Sequence, residues 1–544
     1  MDLSGVLQDA RLDALAAFLH IKTQAGSNAL TAGLQQWSSA SATLHKRTAL
    51  IAQLRERLGS ASGADSAVSI TSAFAAIAEH ETTLRSFWSP PSEMEDEGYS
   101  QLLFRGEYTV PLNHIPRLLS VWAALKIFIL PAMQVSTPLI TFIAPFIIVK
   151  FVMKMPLTFK QYFKIAQGMF LGGGMSKLFS GMQEMPAMPE IPQLPGLPAL
   201  PSSITDQART WLQTGWIVIS AVQSIMQPIQ SAKHTLRLRN LIAEKAASLN
   251  AYITAVRDLG VAFSRLGIRS ARISVPADVL ADPNRLVAFA LENPAVLQMM
   301  DRTVGRYELW FRLAASEYIT PAIWRMGDVG PMFCFKGICD IGISSAKQRA
   351  FSVRVGGDTN QGQHALLTGP NRGGKSTALR AVLRNLILAH CFGCGIGSHI
   401  ELTPFDWIQS CLRLEDLPGK ASLFEREVAF AAASLGRPVG KRGAVFVDEL
   451  FHSTNPPDAA AASAHYLGQL WAQPQIVSMI STHVFELVET APIGIQRLCC
   501  PADLRADGSV DYKYGLARGI CKVSSVGEIL QEQGLGAVAS RPAK

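Results

Sequence analysis

Residues Gly369 to Thr377 read Gly-Pro-Asn-Arg-Gly-Gly-Lys-Ser-Thr and fit the pattern G-x-x-x-x-G-K-[ST] at every fixed position. The strand-like run Ala365-Leu366-Leu367-Thr368 leads in, and the helix-like run Thr377 to Leu383 leads out. Strand, glycine loop and helix in that order leave few folds open. Glycines let backbone N–H groups turn inward around a polyphosphate, and the helix N-terminus adds the positive end of its dipole. Gly369, Pro370, Asn371, Gly373, Gly374, Lys375, Ser376 and Thr377 are therefore candidate ATP contacts. Lys375 supplies a mobile charge for the outer phosphates, and Ser376 a hydroxyl for magnesium. The competing reading, a glycine-rich turn with a stray lysine, does not account for the flanking pattern.

A nucleotide site of this kind needs a second strand ending in acid. Ala444-Val445-Phe446-Val447-Asp448-Glu449 is such a strand. Asp448 at its end can hold the magnesium shell opposite Ser376. Glu449 can orient or deprotonate the attacking water, so it is a candidate catalytic residue. A third apolar run, Ile476 to Ile480, ends in Ser481-Thr482-His483. His483 is the second catalytic candidate if its strand lies beside the one ending at Asp448. Helices alternating with short apolar runs to about residue 500 predict an α/β sheet.

The 544 residues allow two to four domains with ample cores. A balance of 50 basic to 42 acidic residues permits contact with nucleic acid or anionic lipid without requiring either. All eight cysteines fall between Cys334 and Cys521, which is no secreted disulfide framework and predicts an intracellular, reducing compartment. Cys391 and Cys394 have metal-ligand spacing but lack a second Cys/His pair, so core packing is expected. The first residues, Met1-Asp2-Leu3-Ser4-Gly5, lack a basic segment followed by an apolar one, so no secretory signal is expected.

Ahead of the glycine loop the chain is mostly helical. Arg47 to Leu58 spaces its apolar residues at a helical period, and Leu236 to Leu266 can form one long helix. Ile127 to Val149 is 23 residues without a charge, long enough to span a bilayer core. Lys150 and Lys154 follow it as flanking anchors would. Pro131, Pro138 and Pro145 argue against one straight helix there. This stretch reads either as a membrane segment or as a buried interface. Prolines at every third position from Pro186 to Pro201 favour an extended polyproline rod.

Taken together these motifs resemble the ATPase domain of the MutS mismatch-repair family. Thr368 to Thr377 is similar to its T-G-P-N-M-G-G-K-S-T, with Arg372 in place of methionine. Asp448-Glu449-Leu450, with Thr454 and Asp458, resembles its D-E-I-G-R-G-T-S-T-F-D, from which Phe451, Ser453 and Pro456 depart. Thr482 to Leu487 resembles T-H-Y-F-E-L, and Asp416 to Glu427 resembles the D-L-x-x-G-x-S-T-F-M-x-E signature, with Gly419 one place early and Leu423 replacing threonine. The resemblance implies an ABC-like α/β P-loop ATPase domain over residues 326–544. A mostly α-helical lever domain would precede it, in segments 1–116 and 203–325, with an apolar, proline-rich insertion at 117–202. It also implies a composite ATP site in a homodimer or MutS-like heterodimer, with Ser422 reaching the nucleotide of the partner subunit. ATP and magnesium are the implied cofactors, and DNA bound without sequence preference is an implied partner. A weaker likeness at Thr23 to Arg47 marks the start of core and lever helices. On that alignment the mismatch-reading domain is missing, and its Phe-x-Glu wedge occurs nowhere in the chain. The alternative is a membrane-anchored ATPase of this type, held through residues 127–149.

Overall fold

The computed structural model describes residues 3–162, 202–268, 275–327, 329–344, 348–357, 362–412, 422–438, 440–449, 451–505 and 508–535. The proline run from Pro186 to Pro201 and the signature residues Asp416 to Ala421 lie outside them. The chain divides into two compact units. The first holds residues 1–81, 254–273 and 295–544, and the second holds residues 82–253 and 274–294.

The helices ahead of the glycine loop are α1 (Ser4–Ala10), α2 (Gln24–Leu34), α3 (Ser41–Leu58), α4 (Ala61–Ser86), α5 (Glu93–Leu102), α6 (Leu118–Ala124), α7 (Leu130–Ile147), α8 (Ser202–Arg265), α9 (Pro283–Glu292) and α10 (Pro294–Ala315). Thr23 caps α2, its hydroxyl accepting from the Gly26 N–H. Buried Glu308 on α10 then accepts from the Lys22 N–H at 2.7 Å, the Thr23 N–H at 3.0 Å and the Thr23 hydroxyl at 2.6 Å.

In the second unit, Ser92 and Glu95 form a capping box at the start of α5. Lys245 of α8, itself buried, donates to Glu95 at 2.7 Å and to the Tyr99 hydroxyl at 2.8 Å. The long helix expected at 236–266 is longer still, because α8 begins at Ser202 and carries Pro228 within it.

The three prolines of the apolar stretch lie within one helical element that has a π-helical turn on each side. Helix α7 carries Pro131, Pro138 and Pro145 in helical conformation. The chain widens into π-helical turns at Leu125–Ile129 and Ile148–Val152. A proline ring crowds the carbonyl four residues back, and a wider i→i+5 turn ahead of Pro131 gives that ring room without ending the helix. The segment Leu118–Thr137 has the length and apolar composition to cross a membrane, and most of it is uncovered.

Fourteen strands follow in the described residues: β1 (Ile319–Pro321), β2 (Ile323–Trp324), β3 (Met332–Ile338), β4 (Phe351–Gly356), β5 (His364–Thr368), β6 (Cys394–Ile396), β7 (His399–Leu402), β8 (Trp407–Cys411), β9 (Gly443–Asp448), β10 (Ile476–Ser481), β11 (Ile495–Cys499), β12 (Ala502–Leu504), β13 (Val510–Tyr512) and β14 (Ala517–Arg518). The main sheet has the order β14-β11-β5-β10-β9-β8. Five of its members run parallel, and only β14 runs antiparallel, against β11. Parallel strands covered on both faces should read as continuous apolar runs, and β5, β9 and β10 are buried almost throughout. A second sheet, β2-β7-β3-β4, is mixed.

Helices α11 (Lys375–Phe392), α12 (Leu423–Leu435) and α13 (Pro456–Trp471) belong to this half, with shorter helices at Phe485–Glu489 and Val526–Glu532. Helix α11 is buried on nearly every side and touches both sheets. Its Arg384, 1% exposed, donates to the Ala10 carbonyl at 2.8 Å and to Asp340 at 2.8 Å. Those bonds seat α1 against the core. Cys391 and Cys394 are buried free thiols, and burial pushes the Cys391 thiol up to about 12, so both pack as apolar groups, as expected.

Candidate functional site

The loop Gly369–Gly374 joins the end of β5 to the start of α11. Its backbone reverses through left-handed conformations at Gly369 (φ +145°), Arg372 (φ +65°) and Gly374 (φ +102°). A side chain at Gly369 would also meet the Cys500 carbonyl oxygen at 2.9 Å. Arg372, the departure from the family methionine, reaches out of the loop and pairs with Glu532 at 2.6 Å. Pro370 is buried, Asn371 is exposed, and Ser376 and Thr377 sit half-buried in the first turn of α11.

Lys375, 5% exposed, turns back over the loop. Its ammonium donates to the carbonyls of Gly369 at 3.0 Å and Pro370 at 3.3 Å. It also lies 3.2 Å from Nε2 of His483 and 3.6 Å from Oε1 of Glu449. The strand order explains the meeting. β10 lies between β5 and β9, so the glycine loop, the acid pair and the histidine all leave the carboxyl ends of neighbouring parallel strands.

Asp448 ends β9, and its register partner on β10 is Ser481. The Ser481 hydroxyl donates to the Asp448 carboxylate. The Glu449 N–H donates to both the carbonyl and the hydroxyl oxygen of Ser481, each at 3.2 Å. Glu449 has φ +57°, and its carboxylate meets Nε2 of His483 at 2.7 Å. That hydrogen bond, aided by Lys375 and His452, holds the Glu449 carboxyl below its ordinary range against the opposing effect of partial burial. A strand-end carboxylate oriented by a hydroxyl and a serine in the first turn of α11 both offer hard oxygen donors, so Asp448 and Ser376 fit magnesium chemically.

Ser422 is the N-cap of α12. It makes a capping box with Glu425, whose N–H donates to the Ser422 hydroxyl at 3.3 Å while the Ser422 N–H donates to the Glu425 carboxylate at 2.8 Å. Those bonds hold the Glu425 carboxyl low. Sequence reasoning missed Ser481, and also Glu427, His452 and Ser453, which meet beside Glu449. Only the likeness of Glu427 to the last position of the signature pointed at any of them.

Cys334, His399 and Glu401 also converge, on the second sheet. Glu401 is already engaged there by Arg325 on one oxygen and by His399 on the other, at 3.0 Å. Lys336 lies beside His399 in register.

The fold and cleft define a class: an α/β domain with a polar site at the carboxyl ends of parallel strands, fed by a glycine loop and flanked by an acid pair. Residues 365–534 match the family profile of MutS domain V. The DNA mismatch repair protein MSH6 of Arabidopsis thaliana is 30% identical over 182 residues, covering 32% of this chain and 13% of that protein. The DNA mismatch repair protein Msh6 of Gallus gallus is 26% identical over 170 residues, covering 29% of this chain and 12% of that protein. The matched segment spans about an eighth of the length of these relatives. The likeness to the MutS family is carried by this segment, residues 365–534.

Proposed function

We propose that this chain is a MutS-like ATPase that binds and hydrolyses ATP at the Gly369–Thr377 loop and uses the cycle to switch its helical levers. The observation that carries this reading is the convergence of Lys375, Glu449 and His483, from three different strand ends, within 3.6 Å of one another. Gly369, Pro370, Asn371, Gly373, Gly374 and Thr377 line the phosphate loop of a P-loop, ABC-like domain. Lys375 binds the outer phosphates, exchanging loop carbonyls for phosphate oxygens. Glu449, ionised and aimed by His483, orients the attacking water and takes its proton. Magnesium held by Ser376 and Asp448 would neutralise charge on the phosphates.

The site is composite in this reading. Ser422 presents the N-terminus of α12 to the nucleotide of a second subunit, in a homodimer or a MutS-like heterodimer. DNA is the proposed partner of the levers, gripped through its phosphates without base reading. The net charge of +8 and the likeness to two DNA mismatch repair proteins support it. The test is ATP turnover by the full chain with magnesium, alongside gel shifts on duplex and branched DNA at low salt. No turnover, or turnover indifferent to Lys375→Ala, rejects the motor. No shift with or without ATP rejects the DNA partner.

A specific observation favours a second reading, a membrane-anchored form of the same ATPase. Phe128, Met133 and Ile140 are each about 60% exposed from the π-helical turn at Leu125–Ile129 into α7, and Trp211 and Val222 are exposed on α8. Apolar side chains at this density are costly in water and favourable in lipid. Recovery of the full chain in the soluble fraction without detergent rejects this version.

A further inference from the structure

Glu427 lies on α12, five residues beyond the Ser422 cap, and is 1% exposed. A carboxylate buried so deeply must be met by donors. Two such donors come from one short segment. The Ser453 hydroxyl donates to Oε2, and Nδ1 of His452 lies 2.9 Å from Oε1. The same Nδ1 lies 2.7 Å from the backbone carbonyl oxygen of Glu449. A carboxylate and a carbonyl can only accept, so Nδ1 carries the proton and is shared between them.

The segment held in this way needs holding. Glu449 (φ +57°) and Phe451 (φ +59°) both occupy the left-handed region. Each such residue costs about 1 kcal/mol or more and persists only where its surroundings over-determine it. Helix α12 supplies a second restraint, because Phe424 in its first turn packs on buried Phe451 with ring centroids 5.9 Å apart. The turn bearing Glu449 is therefore fixed from one side by Ser481 on β10 and from the other by α12.

We propose that Glu427 is a positioning residue that ties the Ser422-capped end of α12 to the catalytic carboxylate Glu449 of the same chain. This rests on the reading of Glu449 as the water-orienting base and of Ser422 as the residue that meets a partner's nucleotide. Glu427 touches no substrate and acts through His452 and the Glu449 carbonyl. A nucleotide engaged by the α12 cap would then alter the geometry of Glu449 in the other site. By linkage the coupling runs equally in both directions for binding.

The test compares the full wild-type chain with Glu427→Ala, Glu427→Gln, His452→Ala and Lys375→Ala in steady-state ATP turnover, equilibrium ATP binding and amide hydrogen exchange. Glu427→Ala and His452→Ala should lower kcat by up to about 100-fold, the effect of misplacing a reacting group by an ångström, with ATP binding unchanged. Exchange should rise at residues 451–455 and stay unchanged in β9. Glu427→Gln should restore most of kcat, since its amide oxygen still accepts from Nδ1 and its amide donates to the Ser453 oxygen. Wild-type kcat in Glu427→Ala, an equal loss of kcat and ATP affinity, or no rescue by glutamine overturns the proposal. Should Glu427→Ala fail to fold, exposed His452→Ala carries the same expectation, and wild-type kcat in that variant overturns the proposal equally. Turnover that requires Lys375 but ignores Glu427 and His452 overturns this proposal alone. A wild-type chain without turnover overturns the nucleotide reading and this proposal with it.

Discussion

Ser481 and Asp448 face each other across adjacent parallel strands, and the serine hydroxyl donates to the carboxylate while the serine oxygens receive the Glu449 N–H. One fully buried serine thus orients the Asp448 carboxylate and anchors the Glu449 backbone. Replacing Ser481 by alanine leaves a carboxylate oxygen short of a donor, at a cost of about 1–3 kcal/mol. Urea denaturation should register that loss, and ATP turnover should fall further than ATP binding.

Glu449→Gln should bind ATP normally and hydrolyse it about 10²- to 10⁴-fold more slowly, the usual contribution of a positioned base. Single-turnover kinetics beside equilibrium binding would separate the two. Unchanged turnover would remove Glu449 from the chemistry.

The depressed carboxyl of Glu449 fixes the pH dependence. A lowered folded value means the ionised form persists to lower pH than in an ordinary carboxyl, which titrates at about pH 4.3. Its contribution to stability is present above that unfolded value and is lost as pH falls through the depressed one. The acid limb of the turnover profile assigned to Glu449 should therefore lie below about pH 4.3. A limb for this group above that range would contradict the His483 bond as its main cause.

Lys375→Ala should weaken ATP binding by about 10- to 100-fold, the value of one hydrogen bond to a charged group. Calorimetric titration with ATP and magnesium measures it directly. The loop itself should survive, because its turns are set by Gly369 and Gly374 and not by the lysine.

Glu308→Ala should be the most damaging of these changes to stability. Its carboxylate is 0% exposed, joins α10 to the start of α2 through Lys22 and Thr23, and pairs with Arg312 one turn along its own helix. Removing one side of a buried charged network costs about 3–5 kcal/mol. A drop in melting temperature with an intact ATP site in the remaining folded fraction is the expected result.

The parts of the site legible in the sequence were the contiguous ones. Gly369 to Thr377, Asp448-Glu449 and His483 each sit at the end of an apolar run, and a strand end is visible locally. What brings them together is the strand order, which places β10 between β5 and β9 and which no single run encodes. Ser481 went unread because serine at a strand end carries no signal until its cross-strand partner is known. Glu427 and Ser453 are joined across 26 positions, between a helix and a turn, and only packing reveals why a buried glutamate is tolerated. The prolines of α7 marked an irregular helix without showing where the irregularity falls. Proline rules describe a strict α-helix, and this chain relaxes into wider turns. Ser422 was legible only as the serine of the signature, and its capping box with Glu425 emerged with the structure.

The bond from Arg384 to the Ala10 carbonyl has a consequence for how the chain is made. Its two ends lie 374 positions apart. At about 5–20 residues per second of synthesis, α1 emerges tens of seconds before the helix it packs on exists. Leu3, Val6, Leu12, Leu15 and Leu19, all buried in the finished molecule, have no core to join during that interval. The apolar face of α1 therefore meets this helix partner only after the nucleotide half has been made.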